Sequence, residues 1–133
     1  MNTFRKKWNN KSVEDWGIAM SDEAKSFVKG FRNMLKRQLE PEGIEVSLEP
    51  NHYDCSGFLC KDNKYIYISY SIPRGGEKID FDDSSYLNGV LYRTAKNDRD
   101  FTGGSNRFSS ISNLPRKIIE MFDNYDRYTQ DRL

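Results

Sequence analysis

The sequence predicts an α+β fold: a mostly antiparallel sheet of about four strands, with an N-terminal and a C-terminal helix packed on one face. Three observations lead there. Apolar residues recur at helical spacing in residues 22–40 and again in 114–125. Between them, over residues 44–95, the apolar period falls to two. The turn signals inside that stretch, Asp62-Asn63 and Asn88-Gly89, suit hairpins, which join antiparallel neighbours.

Residues 1–20 read as an arm or short helix that Trp8 and Trp16 can anchor. Ser21 is an N-cap, and Asp22 and Glu23 suit the positive end of a helix dipole. Ala24, Phe27, Val28, Phe31, Met34, Leu35 and Leu39 then form one apolar face. Lys25, Lys29, Arg32 and Lys36 line another, and Pro41 and Gly43 stop the helix.

Ile44, Val46 and Leu48 alternate with polar residues as in a half-buried strand, and a second strand covers 55–60. The third, 64–72, turns Ile66, Ile68, Tyr70 and Ile72 to the core and Tyr65, Tyr67, Ser69 and Ser71 away from it. A loop containing Pro73, Gly75 and Gly76 then becomes acidic at Glu77, Asp80, Asp82 and Asp83. In the fourth strand, 90–95, Leu91, Arg93 and Ala95 share one side, and Val90, Tyr92 and Thr94 the other.

Asn113 is expected to cap a final helix with Pro115 in its first turn and an apolar stripe of Ile118, Ile119, Phe122 and Tyr125. Residues 129–133 are a polar tail, so residues 21–128 make one α+β domain without repeats or linkers. The expected core is Phe27, Phe31, Leu35, Ile66, Ile68, Leu91, Ile118 and Phe122.

A length of 133 residues fits one domain. Hydrophobic residues are 36% and charged residues 31%, but an aromatic share of 14% supplies enough buried area for a core. A net charge of +1 excludes a global field strong enough to collect nucleic acid or an anionic membrane. The charge is uneven: residues 1–40 hold nine Lys/Arg against five Asp/Glu, net +4, and residues 41–133 hold twelve against fifteen, net −3. A polyanion contact would therefore use the N-terminal part. No apolar run suits a membrane span or an export signal, so a cytoplasmic setting with unpaired Cys55 and Cys60 is expected.

The candidate motifs each have two readings. Thr102-Gly103-Gly104-Ser105 is either a backbone nest for a phosphate, with Arg93, Lys96 and Arg107 near in sequence, or a tight turn needing positive φ. The stripe Lys25, Lys29, Arg32 and Lys36 is either a track for a nucleic-acid backbone or a solvated helix face. Tyr65 and Tyr67 are either a stacking platform or ordinary strand tyrosines. The acidic loop is either solvated or a contact for a basic patch on a nucleic-acid-handling partner.

His52, Cys55 and Cys60 are either a metal site or Cys–His nucleophile, or a turn histidine with buried thiols, the reading favoured because zinc usually takes four ligands; Asp80, Asp82 and Asp83 lack the glycine and final glutamate of a calcium loop. No metal, cofactor or convergent catalytic set is expected. Arg93 needs an acceptor, either internal, from Asp100 or Asn106, or on a partner.

His52-Tyr53-Asp54-Cys55-Ser56-Gly57-Phe58, Tyr65-Ile66-Tyr67-Ile68-Ser69, Leu91-Tyr92-Arg93-Thr94-Ala95-Lys96 and Asp100-Phe101-Thr102-Gly103-Gly104-Ser105-Asn106 together carry a resemblance. Over roughly residues 22–110 the chain resembles one of the large polyvalent protein-associated domain families of phages, plasmids and conjugative elements. Ser71-Ile72-Pro73-Arg74 departs from that pattern, which has an acidic residue beside the arginine. The resemblance implies a mobile-element setting and no particular reaction. A stand-alone version looks like an accessory or anti-defence protein, a group that includes anti-CRISPR proteins.

The expected function is non-enzymatic binding that inhibits or modulates a bacterial host or defence protein. The expected contacts are Tyr65, Tyr67, Arg74, Asp82, Asp83, Arg93 and Lys96. The alternative is a nucleic-acid-binding module using Lys25, Lys29, Arg32, Lys36, Thr102, Gly103 and Gly104. Neither involves a membrane.

Overall fold

The computed structural model describes residues 2–13, 21–50, 54–73, 76–99 and 103–130. Helix α1 (Asn2–Trp8) is followed by α2 (Asp22–Leu39) and a 3-10 turn at Glu40–Glu42. Five strands come next: β1 (Glu45–Pro50), β2 (Asp54–Lys61), β3 (Lys64–Ser71), β4 (Val90–Ala95) and β5 (Arg107–Ser109). Helices α3 (Leu114–Asp123) and α4 (Tyr125–Gln130) close the chain.

Local chemistry sets α2 as its sequence requires. The Ser21 side chain accepts the Ala24 N–H at 3.1 Å, so one otherwise orphaned first-turn donor is satisfied. Its buried residues are Ala24, Phe27, Val28, Phe31, Met34, Leu35 and Leu39, the seven of the expected apolar face. After the 3-10 turn the chain leaves through Gly43 at φ +78°, a left-handed conformation that glycine adopts without a Cβ penalty.

The sheet is antiparallel throughout, in the order β1-β2-β3-β4-β5. Lys61 pairs with Lys64, leaving Asp62 and Asn63 as a two-residue turn. Both have positive φ, 51° and 61°, which matches the twist of a tight hairpin and suits Asp and Asn. Register then puts Leu48, Cys55, Leu59, Ile66, Ile68, Tyr70, Val90 and Tyr92 on one face, all buried and all in one core with residues of α1, α2 and α3. Phe27 and Phe31 of α2 meet the Tyr70 ring at centroid distances of 5.8 and 5.9 Å.

Several expectations need correction. The sheet has a fifth strand, β5, in a stretch given no regular structure from sequence. It has three residues, too short to show a period, and is held by pairing with β4. Leu91 is not core: it pairs with Ser69, on the other side of the sheet, while Val90 and Tyr92 turn inward. Both sets of alternating positions in β4 contain apolar residues, so period alone could not choose between them. The C-terminal helix is two helices, broken at Asn124. Asn113 occupies the position before α3, but its side chain makes no capping bond; its own N–H donates to Ser110 Oγ at 3.2 Å.

The N-terminal segment joins the core. Phe4 and Trp8 are buried, with ring centroids each 5.4 Å from Phe27. The acidic loop after β3 is fastened to the same place. Asn10 N–H donates to the Ile79 carbonyl and Ile79 N–H to the Lys11 carbonyl, both at 2.8 Å. Ile79 and Phe81 are fully buried, and Phe81 meets Phe4 at 5.2 Å.

Tyr125 at the start of α4 ties two strands together. Its hydroxyl accepts the Tyr65 N–H at 3.1 Å and lies 2.8 and 2.9 Å from the Tyr65 and Ala95 carbonyls, to one of which it donates. Burial and these bonds act oppositely on the phenol; burial prevails and its pKa rises. Tyr125→Phe removes one donor and one acceptor from this half-buried junction. The expected loss is about 1–2 kcal/mol of unfolding free energy, read by urea denaturation. A wild-type curve would mean the hydroxyl does not hold α4 to the sheet.

Candidate functional site

Alternation along the strands gives the sheet a second face. From β1 to β4, one row across it is Ser47, Phe58, Tyr67 and Arg93; the next is Glu49, Ser56, Ser69, Leu91 and, on β5, Phe108. Phe58, Tyr67, Leu91, Arg93 and Phe108 are all half-buried. Phe58 and Tyr67 lie with centroids 5.5 Å apart. The Arg93 guanidinium sits over the Tyr67 ring at 5.4 Å, and its Nη1 donates to Asn106 Oδ1 at 2.6 Å.

The rim at one end is a loop that leads into β4. Tyr86 and Leu87 are 76% and 80% exposed, the two exposed large apolar side chains among the described residues. Tyr86 meets Phe108 edge-on at 5.3 Å, and a groove of about 300 Å³ runs between this rim and Ser69, Ser71 and Leu91. Asp83 shapes the loop: it accepts from the Ser85 N–H at 2.8 Å and from Asn88 Nδ2 at 3.0 Å. The Ser85 and Asn88 bonds hold the Asp83 carboxyl below the usual range.

At the other end Tyr65 has its phenol pKa raised. The first cause is its hydrogen bond with the Cys60 thiol, followed by charge on Cys60, burial, and the Asp98 and Glu45 carboxylates. Cys60 faces this side, whereas Cys55 is buried on the core side. An odd spacing in one strand points the two thiols to opposite faces, and neither is in a disulfide.

The structure brings only some of the expected contacts together. Tyr65, Tyr67 and Arg93 share the second face. Asp82 is committed elsewhere, in a two-pronged pair with Arg5 of α1 at 3.0 and 2.7 Å. The Arg5 hydrogen bond is the main reason the Asp82 carboxyl sits below its ordinary pKa. Asp83 is occupied inside its own loop. Lys96 lines a separate cleft with Thr94, Gly103, Tyr125 and Thr129. Arg74 and Thr102 lie outside the described residues, as do Asp100, His52 and Trp16.

Within the expected phosphate nest the Gly104 N–H is not left for a phosphate: it already bonds Thr94, at 2.9 Å to Oγ1 and 3.2 Å to the carbonyl. Nor do these glycines serve a positive-φ turn. Neither has positive φ, and a Cβ on Gly103 would overlap the Thr94 carbonyl, so close approach demands the residue type. Lys25, Lys29, Arg32 and Lys36 all lie outside the buried face of α2, with Lys25 and Lys29 exposed.

Phe58, Leu91, Phe108, Tyr86 and Leu87 were not among the expected contacts. Phe58 was accessible from strand alternation; the Tyr86-Leu87 pair shows only as two apolar residues ahead of Asn88-Gly89. Among the described residues no group of three or more His, Cys, Asp and Glu converges on a metal position. No helix among them is long and apolar enough to cross a membrane.

Arg93→Ala removes the Asn106 bond and the cover on Tyr67. The expected loss is about 1 kcal/mol, a few degrees in Tm, whereas the exposed Lys96→Ala stays at the wild-type value. Thermal melts of both variants check this; an unchanged Arg93→Ala melt would show the cluster is not structural.

Compared with protein-family models, curated proteins and solved structures, the chain matches none of them.

Proposed function

We propose that this chain is a non-enzymatic binding protein of a phage or mobile element, which inhibits or modulates a bacterial host or defence protein by surface contact. In this reading the helices cover one face of the sheet only, and the partner docks on the other. The observation that carries it is the set Phe58, Tyr67, Leu91 and Phe108 on that second face, with the exposed Tyr86 and Leu87 at its rim. An aromatic centre with exposed apolar anchors is what a protein interface uses. The resemblance over residues 22–110 supports the mobile-element setting.

The same face suits nucleic acid poorly. A base stacking on Tyr67 must displace a guanidinium that already lies on the ring. Glu45 and Glu49 project from β1 on that side and repel phosphate. The basic stripe of α2 keeps the nucleic-acid reading as the second one, since no acidic side chain among the described residues pairs with Lys25, Lys29, Arg32 or Lys36.

The test is capture from a lysate of the natural host, with proteins identified by mass spectrometry. Leu87→Asp is expected to fold and to lose the specific partner, and a Lys29→Glu/Arg32→Glu variant to keep it. The opposite pattern, together with nanomolar nucleic-acid binding at physiological salt that the charge reversal abolishes, would put the nucleic-acid reading first.

A further inference from the structure

We propose, resting on that reading, that the β1 side of the second face seats a cationic side chain, so that the partner presents a Lys/Arg-bearing segment there. The cross-strand neighbour of Phe58 on β1 is Ser47, a small and exposed residue, and Phe58 itself is only half-buried. Glu45 and Glu49 stand two positions to either side of Ser47 and project to the same face, so they are diagonal neighbours of Phe58 within reach of a long side chain. All three β1 residues are exposed.

The two carboxylates are uncommitted. Their cross-strand partners are Cys60 and Ser56, neither of them cationic. Among the described residues neither the Glu45 nor the Glu49 side chain makes a hydrogen bond or an ion pair. A half-buried aromatic ring beside a small residue and between two unpaired carboxylates matches one kind of group. A lysine or arginine lays its stem or guanidinium on the ring and its charge on an acid.

The face already contains an internal version of this contact, the Arg93 guanidinium on Tyr67. Charge balance points the same way. Glu45, Glu49 and Asp98 border the face, and Asp98 and Glu45 both act on Tyr65. Among the described strand residues of this face the cation is Arg93, which is engaged by Asn106. A basic surface is therefore attracted in register, and an acidic one is repelled.

The experiment titrates the ¹⁵N-labelled protein with a short blocked arginine-rich peptide and, separately, with its glutamate counterpart. Amide shifts are expected around Ser47 and Phe58 with the first and none there with the second. The isosteric Glu45→Gln/Glu49→Gln variant is expected to keep the wild-type Tm and to bind the arginine peptide roughly tenfold more weakly. Equal binding by that variant, or shifts confined to other surfaces, overturns the seat. Capture separates the two levels. If Leu87→Asp loses the cellular partner and the double Gln variant retains it in full, the seat is wrong and the binding function stands. If both retain it, the docking face itself is wrong.

Discussion

Phe31→Ala is expected to lower the unfolding free energy by about 3–5 kcal/mol, the range for truncating a fully buried phenylalanine. Phe31 has no exposed surface. Its ring stacks on Phe27 at 6.1 Å with planes 9° apart, and it meets Phe4 at 6.3 Å and Tyr70 at 5.9 Å. These partners come from α1, α2 and β3, so the void cannot close by shifting one element. Rotating any one ring into the space strips it from another. A domain of this size has about 5–15 kcal/mol in total, so the variant loses a large share of its stability. Urea denaturation measures the difference, with the exposed Lys29→Ala as a control expected within about 0.5 kcal/mol of wild type. A Phe31→Ala loss below about 1 kcal/mol would contradict the packing described.

What could be read from sequence follows from how local each cause is. Helix α2 was legible because its cap, its acidic first turn, its apolar face and its stop all lie within a few residues of one another. The β2–β3 hairpin was legible because Asp62-Asn63 supplies the left-handed turn itself. The illegible parts have distant causes. Ile79 and Phe81 are single apolar residues in a polar loop, and it is the distant N-terminal segment, through Phe4, Asn10 and Lys11, that holds them in the core. Arg5 and Asp82 find each other across the chain, so Asp82 looked like a free surface acid. Leu91 could face either way until Ile68 paired with Tyr92.

The candidate site was half legible for the same reason. Tyr65, Tyr67 and Arg93 fell on predicted strands whose alternation was clear. That Arg93 lies beside Tyr67 depends on the register between β3 and β4, which no local signal specifies. Phe108 belongs to the shortest strand, and Tyr86 and Leu87 to a loop that Asp83 shapes through bonds to Ser85 and Asn88.

Gly57→Ala is expected to damage fold and site together. Gly57 pairs with Leu48 and Ile68 in the middle of β2, where glycine is ordinarily a weak strand residue. A Cβ there would stand 1.9 Å from the Ser47 carbonyl oxygen and 2.8 Å from Leu48 Cα. Both are backbone atoms of β1, and no rotamer change relieves them. The strand must move away or unpair, and Leu48 leaves the core with it. A loss on the order of 3 kcal/mol or more is expected, at the upper end of overpacking costs because ladder bonds go as well. Hydrogen exchange localises the damage: amides of β1 lose protection first, while those of β3 and β4 change only as global stability falls. The exposed Ser47→Ala is the control and should stay within about 0.5 kcal/mol. Close approach of β1 is also what sets Ser47 beside Phe58 with Glu45 and Glu49 on either flank. Gly57→Ala should therefore lose the arginine peptide along with its stability, whereas Glu45→Gln/Glu49→Gln loses the peptide alone. If Gly57→Ala keeps both the wild-type Tm and β1 protection, β1 does not approach β2 as closely as described, and the seat at Phe58 has no geometric basis.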